Sequence, residues 1–199
     1  MMVAHSIFSL REELRFYVRR YAPDIDSFCG KALMEDHQTA FIAPQRLKGT
    51  EAFLATELLT SELSRPVVEA VRSAVNDVCW RQSYGLDDAN FDQDYLDNYG
   101  WFNLISPSGP FISDSLRLSI GFWGQGLHYP HHWHEPEEIY LTLGGTAIYI
   151  SEGRASVEGG PGTTICHYSN QSHALDFSKA PLLVAAFWRG GELEAKPRL

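Results

Sequence analysis

The chain has 199 residues, 44% hydrophobic and 21% charged, which fits one globular domain with an added subdomain and excludes a disordered chain. A formal net charge of −9 argues against nucleic acid and anionic membrane as partners, and mildly favours a cationic small molecule. No basic segment followed by an apolar run opens the chain and no stretch reaches transmembrane length, so neither a signal peptide nor a membrane anchor is expected.

The first half reads as helical. Ser9 and Glu12 have the spacing of a capping box, with Leu10, Leu14, Tyr17 and Tyr21 repeating at helical intervals behind them and Pro23 ending the run. Residues Cys29 to Lys48 are mixed. A second helix is expected from Thr50 to Leu63, and a third after Ser64, with Pro66 in its first turn and Val67, Val71, Val75 and Val78 on one face. Those stripes read as core. The Asp- and Asn-rich stretch from Gly85 to Tyr99 reads as a surface connection.

From Trp101 onward the period drops to two. Leu116, Leu118, Ile120 and Phe122 alternate with polar or small residues, the pattern of a half-buried strand. Further strands are expected at Glu138–Leu143, Thr146–Ser151, Thr163–His167 and Leu182–Arg189, separated by turns at Ser108–Pro110, Gly144–Gly145, Glu152–Gly153 and Gly159–Gly162. Short strands punctuated in this way suggest an antiparallel sandwich or jelly-roll barrel. The layout is therefore a helical region over residues 1–99 packing on a β-barrel over residues 100–199. Cys29, Cys79 and Cys166 are odd in number and widely spaced, which reads as reduced, mostly structural thiols in a cytoplasmic setting.

Six of the eight histidines lie between positions 128 and 173. Imidazole and carboxylate are the ligands a borderline divalent metal prefers. Side chains two apart on a strand share a face, so His132 and His134 project together, as do Glu138 and Tyr140. On alternation alone Tyr140 fits equally a packed barrel tyrosine or a base beside a cation. His128 and His131 read as supporting or surface groups, and Glu135 and Glu137 as solvent-facing.

Gly126, His132-x-His134, Glu138 and Gly145 together resemble the first sequence motif of the cupin superfamily. The resemblance implies a mainly β fold: a cupin, that is a double-stranded β-helix or jelly-roll barrel, preceded here by an N-terminal helical subdomain. It also implies a third histidine returned from a later strand, for which His173 is the candidate, with His167 a weaker competitor. The implied metal ligands are His132, His134, Glu138 and His173, holding one divalent transition metal ion such as Fe(II), Zn(II) or Mn(II).

The segments His128–Leu141, His167–Leu175 and Pro181–Gly190 are similar to the cupin-type dimethylsulfoniopropionate lyases of marine bacteria. That resemblance implies a carbon–sulfur lyase of the dimethylpropiothetin dethiomethylase type, with a small cationic sulfonium carboxylate as substrate. The N-terminal helices could cap the barrel or build the surface of a homodimer. The same resemblance implies Tyr140 as the catalytic base, Tyr129 as the preferred substrate contact and His132 as a group that orients substrate. Trp188 is a further candidate contact because it is an aromatic near the site in sequence, although core packing is its better single reading. A sulfonium has no hydrogen-bond donor, so aromatic faces suit it. Two other readings remain open: a cupin dioxygenase acting on a small carboxylate, and a non-catalytic ligand-binding cupin.

Overall fold

The computed structural model describes residues 2–199. Its N-terminal part is helical: α1 (His5–Tyr21), α2 (Pro23–Cys29), a short 3-10 turn (Gly30–Leu33), α3 (Lys48–Ala55) and α4 (Arg65–Ala74), with a two-residue strand β1 (Gln38–Thr39) among them. A short α5 (Gln93–Asp97) leads into the strands. These are β2 (Tyr99–Ser106), β3 (Phe111–Ile112), β4 (Arg117–Trp123), β5 (His128–His132), β6 (Glu137–Gly145), β7 (Ala147–Ser151), β8 (Val157–Gly159), β9 (Thr164–His167), β10 (His173–Asp176) and β11 (Leu182–Arg189). They form a seven-stranded sheet ordered β1-β3-β2-β4-β11-β6-β9 and a four-stranded sheet ordered β5-β10-β7-β8. No helix is long and apolar enough to cross a membrane among the described residues.

The central strands of the larger sheet are buried on both faces, which corrects the half-buried reading of β4. All seven β4 residues are buried. Leu116, Leu118, Ile120 and Phe122 pack outward in one core with Leu10, Leu14 and Val18 of α1 and Val67 and Val71 of α4. Each such fully buried aliphatic side chain contributes about 1.5–3 kcal/mol. The polar and aromatic face of the same strand points into the barrel. A helical layer outside the sheet removes the solvent that the alternation implied.

Three local expectations also change. α1 starts at His5 behind Ala4, with no side-chain cap, so Ser9 lies inside the helix rather than at its start. The buried stripe begins at Ile7, and its packing extends the helix past the capping motif. α3 ends at Ala55, not at Leu63, because later backbone is claimed elsewhere. Arg72 Nη2 donates to Thr56 O at 2.7 Å, and Gly145 N donates to Leu59 O at 2.7 Å, tying the segment extended against β6. The stretch from Gly85 to Tyr99 is more than a surface connection. Asp92 caps α5 by accepting from Tyr95 N at 2.8 Å, and Phe91, Tyr95 and Tyr99 are buried against Tyr84 and Trp123.

Candidate metal centre and active site

The site lies between the two sheets. In the larger one, strand register places His167, Glu138, Trp188 and Arg117 side by side across β9, β6, β11 and β4. The next inward row is Ile165, Tyr140, Ala186, Ser119 and Asn103. In the smaller sheet, the end of β5 pairs with the start of β10, so His132 lies directly opposite His173. His134 follows the strand rather than sharing it, since β5 ends at His132 and Trp133 makes an isolated bridge to Arg198. The His132–His134 pair therefore reaches the centre through a turn, not through simple strand alternation.

Three imidazoles share one arrangement. The Nδ1 of His132 lies 2.9 Å from Pro130 O, that of His134 2.9 Å from Pro136 O, and that of His173 2.8 Å from Gln171 O. A carbonyl only accepts, so each Nδ1 carries a proton, and in the neutral ring each Nε2 keeps its lone pair. The ligating nitrogens of these three buried residues lie within 4.8 Å of one another. Nε2 of His134 and of His173 is buried without a hydrogen-bond partner, at 3.4 and 3.2 Å from Glu138 Oε2. Lone pairs and a carboxylate converging in a buried space repel unless a cation lies among them. The donor set of three imidazoles and one carboxylate fits a borderline divalent transition metal.

His167 is also in the cluster, where the sequence made it a weak competitor. It pairs with Glu138 across the β6–β9 ladder and stacks on His173 with ring centres 3.9 Å apart. Both its nitrogens are engaged: Nδ1 lies 3.2 Å from Glu138 Oε2 and Nε2 3.0 Å from Ser151 Oγ. Glu138, His167 and His173 thus form a second group whose candidate ligand atoms lie within 4.8 Å of one another. As placed, both His167 nitrogens are engaged and the ring steadies Glu138. Trp188 Nε1 donates to the other oxygen, Glu138 Oε1, at 2.5 Å. Burial acts to raise Glu138. When the rings of His134, His167 and His173 carry protons toward it, their charge and hydrogen bonds outweigh burial and hold the carboxyl well below its usual range. Burial, with the His173 ring next, pulls His132 well below the usual imidazole value.

Tyr140 faces the same cavity, two residues beyond Glu138 and with its ring 5.5 Å from that of His167. Burial first and the Glu138 charge second push its phenol well above the ordinary value. Tyr129 stacks on His132 at 3.9 Å, and its hydroxyl lies 3.0 Å from that of Tyr84. The cavity, about 50 Å³, is lined among others by Arg117, Trp101, Trp123, Tyr129, Tyr140 and Trp188. His128 and His131 are exposed, Glu137 pairs with Arg189 at 2.8 Å, and Glu135 accepts from Glu192 N at 3.2 Å. Cys166 sits opposite Ile139 in the ladder, on the outer face, and burial raises its thiol. It is not part of the site.

Sequence reasoning missed Arg117, Trp101 and Tyr84. The signal for Arg117 was its position two residues before Ser119, in phase with the small and aromatic residues of β4. That phase was assigned to solvent. For Phe91, Tyr95 and Tyr99 the signal was aromatic spacing of four, hidden by the surrounding aspartates.

A jelly roll holding three imidazoles and a carboxylate between its sheets is a cupin. A dimethylsulfoniopropionate lyase family model matches residues 32–184. The dimethylsulfoniopropionate lyase DddQ of Ruegeria pomeroyi is 32% identical over 158 residues, covering 79% of this chain and 77% of that protein. The crystal structure of DMSP lyase DddQ from Ruegeria pomeroyi DSS-3 superposes with a TM-score of 0.89 at 28% identity, covering 98% of this chain and 95% of that one. A second structure, from a study of the DMSP lyases RdDddP and RnDddQII, gives a TM-score of 0.91 at 32% identity, covering 98% and 97%. The chain belongs to the dimethylsulfoniopropionate lyase family.

Proposed function

We propose that this protein is a metal-dependent lyase that cleaves dimethylsulfoniopropionate to acrylate and dimethyl sulfide by β-elimination. The observation that carries the reading is the shared tautomer of His132, His134 and His173. Each Nδ1 is fixed by a backbone carbonyl, and the three ligating nitrogens lie within 4.8 Å of one another. Nε2 of His134 and of His173 faces Glu138, beside an inward Tyr140. His132, His134, Glu138 and His173 would hold one Fe(II), Zn(II) or Mn(II) ion. When bound, such an ion supplies positive charge that draws electron density from a carboxylate and eases ionisation of a nearby phenol.

The chain's own groups account for the rest. Tyr140 Oη takes the proton α to the substrate carboxylate. The C–H electron pair becomes the new double bond, and the C–S pair leaves with sulfur as neutral dimethyl sulfide. Because the leaving group starts as a sulfonium, no general acid is required. Tyr129 offers a ring to the sulfonium, supported by its stacking on His132 and by the Trp123 ring 5.8 Å away. Trp188 and His167 keep Glu138 ionised and oriented. Three free cysteines support a reducing, cytoplasmic setting.

Metal-loaded protein incubated with dimethylsulfoniopropionate under argon should release dimethyl sulfide and acrylate in equal amounts. Turnover that appears only when oxygen is admitted would replace the lyase reading with an oxygenase.

A further inference from the structure

Arg117 is a buried cation that the reaction above does not use. It is 8% exposed and lines the same cavity as Glu138, Tyr140 and Tyr129. Its protein partners are all neutral. Nε donates to Asn103 Oδ1 at 3.1 Å and Nη1 to Leu193 O at 3.0 Å. The guanidinium lies 4.7 Å from the Trp101 ring centre and 4.5 Å from that of Trp188. No ion pair among the described residues neutralises it. Burial pulls its pKa below the usual guanidinium value, although the charges of Glu194 and Glu138 act to restore it.

A buried charge is costly unless an opposite charge meets it. Nη2 makes no hydrogen bond to the described protein, and the guanidinium fork is suited to planar carboxylates. A second donor stands beside it: Trp101 Nε1 is buried without a partner, on a residue lining the same cavity. Two unfilled donors, one of them cationic, define a place for an anion. The opposite sheet contributes Tyr129, an aromatic ring with no charge. The cavity thus has an anion-seeking end and a cation-tolerant wall, the layout a small zwitterion requires.

We propose that Arg117, assisted by Trp101 Nε1, is the residue that recognises the substrate's carboxylate. The identity of the substrate rests on the lyase reading, whereas the carboxylate site itself does not. Holding the carboxylate at Arg117 fixes which carbon is presented to Tyr140. It also withdraws charge from that group, making the α proton easier to remove. Glu138 and Arg117 sit two strands apart in one row, with Trp188 between them. The arginine therefore reaches the ligand from the side away from the imidazoles.

The test uses two half-substrates on the metal-loaded protein, followed by calorimetric titration. Propionate carries the carboxylate alone and trimethylsulfonium the sulfonium alone. Arg117→Gln should weaken propionate at least about tenfold and leave trimethylsulfonium unchanged or tighter, since a repelling charge has gone. Propionate bound equally well by Arg117→Gln and wild type would overturn the proposal. Arg117→Lys covers the case in which the glutamine variant does not fold. It keeps the charge but loses the fork, and should weaken propionate selectively; equal weakening of both probes would also overturn the assignment. If wild type releases no dimethyl sulfide yet binds propionate in an Arg117-dependent way, the carboxylate site stands and the lyase reading falls.

Discussion

Trp188→Phe separates packing from electrostatics at the centre. Phenylalanine keeps a flat ring between Arg117 and His134, whose ring centre lies 4.0 Å from that of Trp188. What it loses is the Nε1–H donated to Glu138 Oε1 at 2.5 Å. Hydrogen bonds to a charged group contribute about 1.5–3 kcal/mol. In a chain of this length each kcal/mol moves the melting temperature by about 2–4 °C, so the metal-free variant should melt roughly 3–12 °C lower. The smaller ring adds a packing loss that is the same with or without metal. The hydrogen-bond loss is not the same, because a cation shared by Glu138 reduces the charge left uncompensated at Oε1. The drop measured by scanning calorimetry should therefore be larger in metal-free than in metal-loaded protein. Equal drops in both forms would refute the idea that Trp188 acts through the Glu138 carboxylate.

Acidification should destabilise the metal-free protein. Burial, with His173 adding to it, keeps His132 well below 6.5 in the folded state, so below that pH the unfolded chain binds a proton that the folded chain refuses. At a pH of about 5.5 the unfolded chain is mostly protonated at this position, and the folded state loses stability by that difference. Glu138, held below 4.5, loses its contribution in the same direction at still lower pH. Melting curves at pH of about 7.5 and 5.5 check the sign; a midpoint that holds or rises would contradict it. Gly145→Ala should destabilise by more than about 2 kcal/mol. Its φ is +76°, and an added Cβ would lie 1.8 Å from Pro181 O, at the point where β6 meets β11. A variant that melts with wild type would show that this end of the barrel yields.

The sequence made the centre legible because metal binding demands specific residue types at fixed spacing. Glu138 and Tyr140 share a face by strand alternation alone, and the ladder with β11 keeps them together. His173 and His167 were harder to rank, because the loop from Tyr168 to Ser172 erases phase between them. Only the hydrogen bonds separate a histidine with a free Nε2 from one with both nitrogens engaged. Arg117 was legible as an inward or outward phase but not as which. That choice depends on α1 and α4 covering the outer face, a long-range fact that local alternation does not carry. The same limit applies to α3, where the carbonyl of Thr56 is taken by Arg72 from another helix.

The central claim is a metal-dependent elimination with Tyr140 as base, and headspace detection of dimethyl sulfide tests it most directly. Metal-loaded wild type should release dimethyl sulfide from dimethylsulfoniopropionate. Tyr140→Phe should carry the same amount of metal by elemental analysis and release it at least about a hundredfold more slowly. Wild-type rates in Tyr140→Phe, or no dimethyl sulfide from metal-loaded wild type, would contradict the account.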